Sequence, residues 1–285
     1  MRSAVSDARF HRFGLGSFEC ISVQDGHNEY DPRHFFRGAS PEAVAAGLLA
    51  RGLSTDEITL PFTFLLVDTG AHRVLVDTGG GQMVPTSGNL VSNLSAAGFE
   101  PSSIDLIVFT HAHPDHVGGL CDREGRPVYG SARYFLCEEE WRYWRSDTAL
   151  RAWEPLATSA RRSFEPISER VNLVPPGAGI VPGVSTVEAS GHTPGHSAVL
   201  VESGSQRLLV IGDVVVHELL LEHPSWAFAY DVSPSEAVTS RRRILALAAE
   251  QDLLVFAPHL PPFPNLGHVA AKGDAFEWVP TSPPR

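Results

Sequence analysis

The six residues from His111 to His116, which read His-Ala-His-Pro-Asp-His, constrain the fold more than any other segment of the chain. They directly follow Ile104 to Thr110, an apolar run with the length of a buried strand. Metal ligands must converge in space, and alternating His-x-His directs two imidazoles to one side of an extended segment. Asp115 and His116 come from the next turn and can reach a second ion close to the first. Because imidazole and carboxylate together suit zinc or a similar divalent ion, the segment predicts a metal site at a strand end.

Three later residues stand in the same situation. His192, Asp213 and His259 each follow an apolar, β-rich run. A solvated surface cluster of histidines is the alternative for the first segment alone, but it does not account for an ordered set of ligand-type residues at several strand ends. We therefore predict a metal centre.

The apolar pattern divides the chain into two groups of strands, each followed by helices. The first group consists of Phe62 to Asp68, Arg73 to Asp77 and Ile104 to Thr110, with a helix predicted from Asn89 to Gly98. The second group consists of Val184 to Ala189, Ala198 to Glu202, Arg207 to Ile211 and Leu253 to Ala257. Within the second group Ser233 is the predicted cap of a further helix, and Glu236 is expected to complete a capping box. The pattern predicts two packed sheets covered on their outer faces.

Composition limits the partners and the compartment. The chain has 285 residues, of which 43% are hydrophobic, which suffices for one domain over 1–285 with flexible ends at 1–15 and 279–285. Its net charge of −11 disfavours nucleic acid and anionic membranes and leaves a small molecule as the expected partner, with a homodimer open. The three cysteines lack a Cys-x-x-Cys spacing, and the polar N-terminus lacks a signal peptide, so we expect a cytoplasmic protein. The run from Arg241 to Arg243 is interpreted as a solvated helix face.

The ordered ligand set resembles the metallo-β-lactamase superfamily. The family's signature His-x-His-x-Asp-His matches residues 111–116 without gaps, and its later ligands match His192, Asp213 and His259. Because His192 stands at the family's ligand position, the resemblance implies a structural role for His196. Asp77, in Asp-Thr-Gly, matches the family's aspartate that supports the metal ligands; a turn aspartate is the alternative. The resemblance covers residues 16 to 268 and implies the α+β class, with a four-layer αββα sandwich.

The resemblance also implies how two divalent ions would be held. One ion would take His111, His113 and His192; the other would take Asp115, His116 and His259; Asp213 would bridge both. Zinc is the first expectation, with Mn, Co and Fe open. Asp115 and Asp213 are the expected catalytic residues, since they would hold the ions and orient the nucleophile.

The expected reaction is attack by a metal-bridging hydroxide on a small neutral ester, lactone or phosphotriester. The chain has no Gly-x-Ser-x-Gly nucleophile elbow. The stretch from His259 to His268 resembles that of the methyl parathion hydrolase and lactonase-esterase group, with one additional residue. Alternatives are an acyl-homoserine-lactone lactonase, although Val216 stands where such enzymes often carry a tyrosine, and a β-lactam hydrolase. An alternative of another class is a mononuclear iron persulfide dioxygenase, which uses chiefly the set of His111, His113, His192 and Asp213.

Aromatic residues supply a candidate substrate pocket. The candidates are Trp141, Trp144, Trp226, Phe228 and His268. For the first two, the alternative is that they pack an outer helix onto a sheet.

Overall fold

The structure, a computed structural model, describes residues 9–82 and 84–281. Its strands are β1 (Phe10–Leu15), β2 (Phe18–Tyr30), β3 (Phe36–Arg37), β4 (Ile58–Asp68), β5 (Arg73–Val76), β6 (Leu106–Val108), β7 (Arg133–Cys137), β8 (Val171–Val174), β9 (Gly179–Val181), β10 (Val184–Glu188), β11 (Ser197–Ser203), β12 (Gln206–Val210), β13 (Ala227–Phe228), β14 (Leu254–Phe256), β15 (Leu266–Lys272) and β16 (Ala275–Pro280). Its α-helices are α1 (Pro41–Ala50), α2 (Leu90–Ala96), α3 (Pro114–Val117), α4 (Glu138–Trp144), α5 (Asp147–Ala152), α6 (Glu154–Phe164), α7 (Leu219–Glu222) and α8 (Pro234–Glu250).

Each large sheet is built from one contiguous half of the chain. Within the described residues, one seven-stranded sheet has the order β1-β2-β4-β5-β6-β7-β8 and the other has the order β16-β15-β14-β12-β11-β10-β9. Two short strands, β3 and β13, pair with each other and connect the two halves. Helix α2 packs on β2 of the first sheet, and α8 packs on β15 of the second. The predicted α+β class and two-sheet sandwich are therefore confirmed.

Strand β4 shows why the sheets stack in layers. Successive side chains of a strand point to opposite faces, and in β4 both faces are buried. Leu65 and Val67 lie in an apolar cluster that β11 and β12 of the other sheet also enter. Phe64 and Leu66 lie in the second cluster, together with Leu94 of helix α2. A strand that is apolar on both faces must be covered on both, and here the other sheet covers one face and helix α2 covers the other.

The ends of the strands meet at one edge of the sandwich. In the first sheet β5 and β6 run parallel, and in the second sheet β12 and β14 run parallel. The chain leaves β6 toward His111, β12 toward Asp213 and β14 toward His259. Because parallel strands carry their carboxyl ends to the same edge, this arrangement collects residues that lie far apart in sequence.

Three details differ from the sequence-based expectations. Residues 10–15, expected in a flexible end, form β1, because each of them pairs with β2. Val279 and Pro280, expected in the other end, pair with β15. Ser233 precedes α8 but forms no side-chain cap, so the expected capping box is absent there. Residues 1–8 and 282–285 lie outside the described residues, and the single domain stays a prediction.

Among the described residues, no helix combines the length and the hydropathy that crossing a membrane requires.

Candidate metal centre

Asp77 holds the first ligand segment in place. It follows β5 with a positive φ of 62°, and its Oδ1 accepts a hydrogen bond from the backbone N–H of Thr110 at 2.7 Å. Its Oδ2 accepts from the Thr110 hydroxyl at 2.7 Å and lies 2.8 Å from His116 Nδ1. The carboxylate therefore joins the end of β6 to the imidazole six residues later. These contacts suit the supporting role expected for Asp77, which stays a prediction.

Four buried residues form the first ligand group. The ligand atoms of His111, His113, His192 and Asp213 all lie within 4.8 Å of one another. His192 Nε2 is 2.9 Å from His113 Nδ1 and 3.2 Å from Asp213 Oδ2, and His111 Nε2 is 3.8 Å from the same carboxylate oxygen. This is the set expected to hold one ion.

A second ligand group shares Asp213. It consists of Asp115, His116, Asp213 and His259, again with ligand atoms within 4.8 Å. His116 Nε2 and His259 Nε2 each lie 3.0 Å from Asp213 Oδ1, and they lie 3.6 Å and 3.9 Å from Asp115 Oδ2. Asp213 thus directs Oδ2 toward the first group and Oδ1 toward the second, as a bridging carboxylate would.

The donor atoms fit metal ions. His111 Nε2 and His116 Nε2 are buried and make no hydrogen bond within the described part of the chain, although His116 Nε2 is close to Asp213. In three of the ligand histidines Nδ1 has a partner: for His116 it is Asp77, for His192 it is Asp231 at 2.9 Å, and for His259 it is the carbonyl of Pro61 at 2.9 Å. A ring whose Nδ1 donates a hydrogen bond presents the lone pair of Nε2, which is the arrangement of metal-binding histidines.

The electrostatics favour the metal-binding protonation states of His111, His113 and Asp213, whereas the nearby carboxylates outweigh burial and raise the pKa of His116 and of His192. Burial, with the neighbouring imidazoles, holds the pKa of His111 and of His113 well below the usual range, so both are neutral. Burial opposes ionisation of Asp213, but the surrounding imidazoles, His116 first among them, outweigh it and hold the pKa of that carboxyl well below its usual range. Neutral imidazole and ionised carboxylate are the forms that bind divalent ions.

Asp231 is a supporting residue that the sequence did not indicate. It is fully buried, its Oδ1 holds His192 Nδ1, and its Oδ2 accepts from the backbone N–H of Phe228 at 2.8 Å. The guanidinium of Arg241 lies 3.6 Å from the same oxygen. An aspartate 39 residues after the histidine that it holds carries no local signal, because only the folded loop brings the two together.

The interpretation of the run from Arg241 to Arg243 as a solvated helix face is wrong for Arg241. Its side chain is 1% exposed rather than solvated, and it donates to the carbonyls of Val214, at 2.8 Å, and of Trp226. It therefore joins the loop after Asp213 to the loop that carries Asp231.

His196 supports the backbone of the shared ligand. Its Nε2 accepts a hydrogen bond from the Asp213 N–H at 3.0 Å, and it belongs to neither ligand group. Gly212 has a φ of 51°, and a Cβ built there would lie 2.7 Å from His196 Nε2. Only glycine lets the chain pass this close to the ring while turning Asp213 toward both groups.

Two of the aromatic candidates lie beside the ligands. Phe228 stacks on the ring of His192 at 5.9 Å between centroids. Trp144 is buried with its ring centroid 5.4 Å from that of His113, and its Nε1 donates to Glu140 at 2.6 Å. The burial of Trp144 makes it a packing residue of the site rather than an open pocket wall.

The other three candidates pack elsewhere. Trp141 faces the neighbouring helix α6, and its ring centroid lies 5.8 Å from that of Phe164. Trp226 stacks on His223 at 4.1 Å, within its own loop. His268 lies 3.0 Å from Asp252, which precedes β14, because β15 runs antiparallel to β14 and carries the residue away from the end that bears His259.

Tyr30, which the sequence did not indicate, forms an aromatic wall with Phe228 and Tyr230. The ring centroid of Tyr30 lies 6.5 Å from that of Phe228 and 6.3 Å from that of Tyr230. The centroids of Phe228 and Tyr230 are 5.3 Å apart. Burial raises the pKa of Tyr30, and the nearby negative charge of Asp115 adds to the effect, so this phenol stays protonated. The wall joins the end of β2 to the loop after β13 beside the ligand groups.

Comparison with known proteins agrees with this geometry. The family profile described as "Metallo-beta-lactamase superfamily" matches residues 61–259. An N-acyl homoserine lactonase of Bacillus sp is 25% identical over 212 residues, which cover 68% of this chain and 76% of that protein. The solved structure of AidC, a dizinc quorum-quenching lactonase in complex with a product, is 27% identical with a TM-score of 0.91 and covers 97% of this chain and 99% of that chain. The hydrolase AbOPH of the beta lactamase superfamily, 24% identical with a TM-score of 0.88 over 97% of this chain and 99% of that chain, shows likeness of fold alone.

Proposed function

The chain belongs to the metallo-beta-lactamase superfamily and is a metal-dependent hydrolase, and we propose that it opens the ring of small, neutral lactones with an apolar substituent. The observation that carries the proposal is the pair of ligand groups joined through Asp213. N-acyl homoserine lactones are the first substrates to test, because proteins described as acting on them resemble this chain over most of its length. The narrower resemblance to the methyl parathion hydrolase group remains an interpretation of the tail motif.

His111, His113 and His192 would hold one ion, and Asp115, His116 and His259 the other, with Asp213 between them. Two adjacent divalent ions, when bound there, would supply hydroxide near neutral pH by lowering the pKa of water and would act as Lewis acids toward the substrate carbonyl. Zinc suits these ligands best, and Mn, Co and Fe are the alternatives.

Asp115 marks the open side of the centre. Its side chain is 17% exposed, whereas the other six proposed ligands are buried. Substrate and water therefore reach the centre past Asp115, and its carboxylate is placed to orient the attacking water. The charge of Asp115 also acts on Tyr30, which puts the aromatic wall on this side of the centre.

The aromatic wall supports an apolar substituent on the substrate. Phe228 covers one ligand ring, and Tyr230 is 38% exposed, so the wall offers apolar surface next to the site of reaction. The net charge of −11 disfavours anionic substrates. Val216, which stands where acyl-homoserine-lactone lactonases often carry a tyrosine, is buried in the core and cannot donate to the substrate. In this proposal the protonated phenol of Tyr30 donates the hydrogen bond to the substrate instead.

The experiment is a metal determination together with a hydrolysis panel on the full chain. The panel contains N-acyl homoserine lactones of graded chain length, an aryl lactone, p-nitrophenyl esters, a paraoxon-type triester and a β-lactam. We expect two ions per chain and the highest kcat/KM on lactones. Faster hydrolysis of the triester or the β-lactam would overturn the substrate class. A chain without bound metal and without activity after addition of zinc, manganese or cobalt would overturn the hydrolase itself.

A matched pair of variants tests the shared ligand. Asp213→Ala should lose both ions and at least a thousandfold of the activity, because it removes a ligand from each group. Asp56→Ala, which changes an exposed aspartate, should behave as the unchanged protein. Retention of both ions in Asp213→Ala would contradict the bridging role.

The same metal determination separates the iron dioxygenase alternative. That chemistry needs only the first ligand group, whereas Asp115, His116 and His259 are also assembled around Asp213. One iron per chain, with oxygen consumed in the presence of a persulfide, would favour the dioxygenase.

A further inference from the structure

Glu140 is a fully buried carboxylate on helix α4 that lies outside both ligand groups. Its Oε1 accepts from the backbone N–H of Ala112 at 2.9 Å and from Trp144 Nε1 at 2.6 Å. Its Oε2 accepts from the Thr193 hydroxyl at 2.7 Å and from the backbone N–H of Gly195 at 2.9 Å. Four hydrogen bonds from neutral donors thus converge on one carboxylate.

Three of these partners, Ala112, Thr193 and Gly195, belong to the loops that carry the first ligand group. We call residues 111–116 the first ligand loop and residues 190–196 the second ligand loop. Ala112 stands between His111 and His113, and Thr193 directly follows His192. One carboxylate oxygen therefore holds the first ligand loop, and the other holds the second.

Close packing leaves little freedom in this arrangement. A Cβ built on Gly195 would lie 2.2 Å from the backbone nitrogen of Glu140, so the second ligand loop rests directly on α4. The ring of Trp144, which is also tied to Glu140, stands against the ring of His113. Helix α4 therefore contacts both loops that carry the first ligand group.

We propose that Glu140 is a positioning residue of the metal centre, whose carboxylate sets the distance between His192 and the pair His111 and His113. This inference rests on the proposed metal centre. Through that distance Glu140 determines the affinity for the ion that the three imidazoles would share, without touching the ion or the substrate.

The chemistry of the partners requires a carboxylate at this position. All four partners donate, and an ionised carboxylate only accepts. Burial raises the pKa of Glu140, while the four donors favour its charged form and act in the opposite direction. Glutamine has the same size, but its amide nitrogen would face donors, so one loop would lose its hydrogen bonds. The loops would then separate while the helix stays in place.

The test compares Glu140→Gln with Glu139→Gln, the same change at an exposed neighbour on the same helix. Zinc affinity is measured by competition with a chromophoric chelator, and the occupancy of each position by anomalous diffraction at limiting zinc. In Glu140→Gln we expect the position at His111, His113 and His192 to lose about 10-fold to 100-fold in affinity, the range found for groups that orient metal ligands. The position at Asp115, His116 and His259 should keep its occupancy, and Glu139→Gln should match the unchanged protein.

A second variant keeps the inference testable if Glu140→Gln does not fold, which circular dichroism reports. Thr193→Val keeps the shape of the residue and removes one of the four donors, so we expect a severalfold loss of affinity at the same position. Unchanged affinity in a folded Glu140→Gln, or in Thr193→Val when the glutamine variant is unfolded, would overturn the positioning role. If the protein without substitutions bound no metal, that result would overturn the proposed function instead.

Discussion

The three consecutive arginines of helix α8 differ in what surrounds them. Arg241 is buried against Asp231 and three backbone carbonyls, whereas Arg242 and Arg243 are exposed and contact Asp274 and Glu188. Successive residues of a helix are separated by about 100° around its axis, so three in a row cannot share one face. Composition shows a basic run, but only the packing of the helix determines which member is buried.

Replacing Arg241 tests its role in the fold. Arg241→Met leaves the buried Asp231 without its nearby cation and leaves the Val214 carbonyl without its donor. We expect the free energy of unfolding to fall by about 3–5 kcal/mol, as when one partner of a buried ion pair is removed. Urea denaturation measures the change, with Arg242→Met as the control, expected within about 0.5 kcal/mol of the unchanged protein. Equal stabilities of the two variants would contradict this account.

His217 predicts a pH dependence of stability. Burial lowers the pKa of His217 to about 4, with the nearby charge of Arg51 adding to the effect, from 6.5 for a free histidine. Between these values the unfolded chain binds a proton that the folded chain does not, so stability falls as the pH falls from 6.5 to about 4 and is unaffected by this group above 6.5. The loss is at most about 3 kcal/mol.

The comparison is with His217→Gln, whose amide oxygen can accept the hydrogen bond that Leu219 N–H now donates to the imidazole. Both proteins are denatured with urea across this pH range in the presence of a chelator, so that release of metal does not contribute. We expect a shallower acid decline in the variant. Parallel curves would show that His217 titrates normally in the folded protein.

At the level of elements, the starts of helices α1 and α8 contrast. The Ser40 side chain accepts a hydrogen bond from the backbone N–H of Ala43, which is the ordinary capping arrangement. Ser233 has φ −121° and ψ 86° and forms no such bond, while its own N–H donates to the carbonyl of Gly191. The second ligand loop thus determines the backbone at the start of α8, and a contact of this kind overrides the local capping signal.

The contrast gives a prediction for two identical substitutions. Ser40→Ala should lower the free energy of unfolding by about 1 kcal/mol, because it removes a cap. Ser233→Ala should change it by less than about 0.5 kcal/mol, because no cap is present. Chemical denaturation of both variants decides, and a larger effect at Ser233 would show that this serine caps α8 in solution.

The strands were predictable where their pattern is local. The interior of β4 was identified from its apolar run, but the strand begins at Ile58 rather than Phe62, because its pairing with β2 continues to Tyr30. Nothing in the sequence around Pro61 indicates that extension. The sequence does not show that β15 runs antiparallel to β14. It therefore could not show that His268 lies away from His259 and close to Asp252.

The candidate site was predictable for the ligands and not for the groups that hold them. His111 and Asp213 carry a signal, since they stand at strand ends with ligand-type neighbours. Glu140 stands in a run of three glutamates whose first two are exposed, so its sequence environment indicates a solvated helix. Asp231 likewise acquires its partner only through the fold. A residue whose partners lie on other loops leaves no local pattern.

At the scale of the whole molecule, the proposed ligands come from both sheets. His111, His113, Asp115 and His116 follow a strand of the first sheet, whereas His192, Asp213 and His259 follow strands of the second. Bound ions would therefore join the two halves of the sandwich, and the folded state would gain their binding energy.

Removal of metal should lower the melting temperature. With free metal at about 100 times the dissociation constant, each ion stabilises the fold by about 2.7 kcal/mol. For a chain of this length we expect a loss of roughly 4–5 °C per ion in calorimetry after chelation, with recovery on adding zinc. Asp213→Ala should show no response to the chelator, and an equal response in that variant would place the metal elsewhere.

The division of the sheets between two contiguous halves has a use in protein engineering. A break in residues 175–178, between β8 and β9, would separate the two seven-stranded sheets without cutting either. Neither fragment would hold a complete ligand group, because each group draws on both halves. We expect the two fragments, expressed separately, to associate more tightly when zinc is present. Such a pair would work as a split reporter in which zinc switches on complementation.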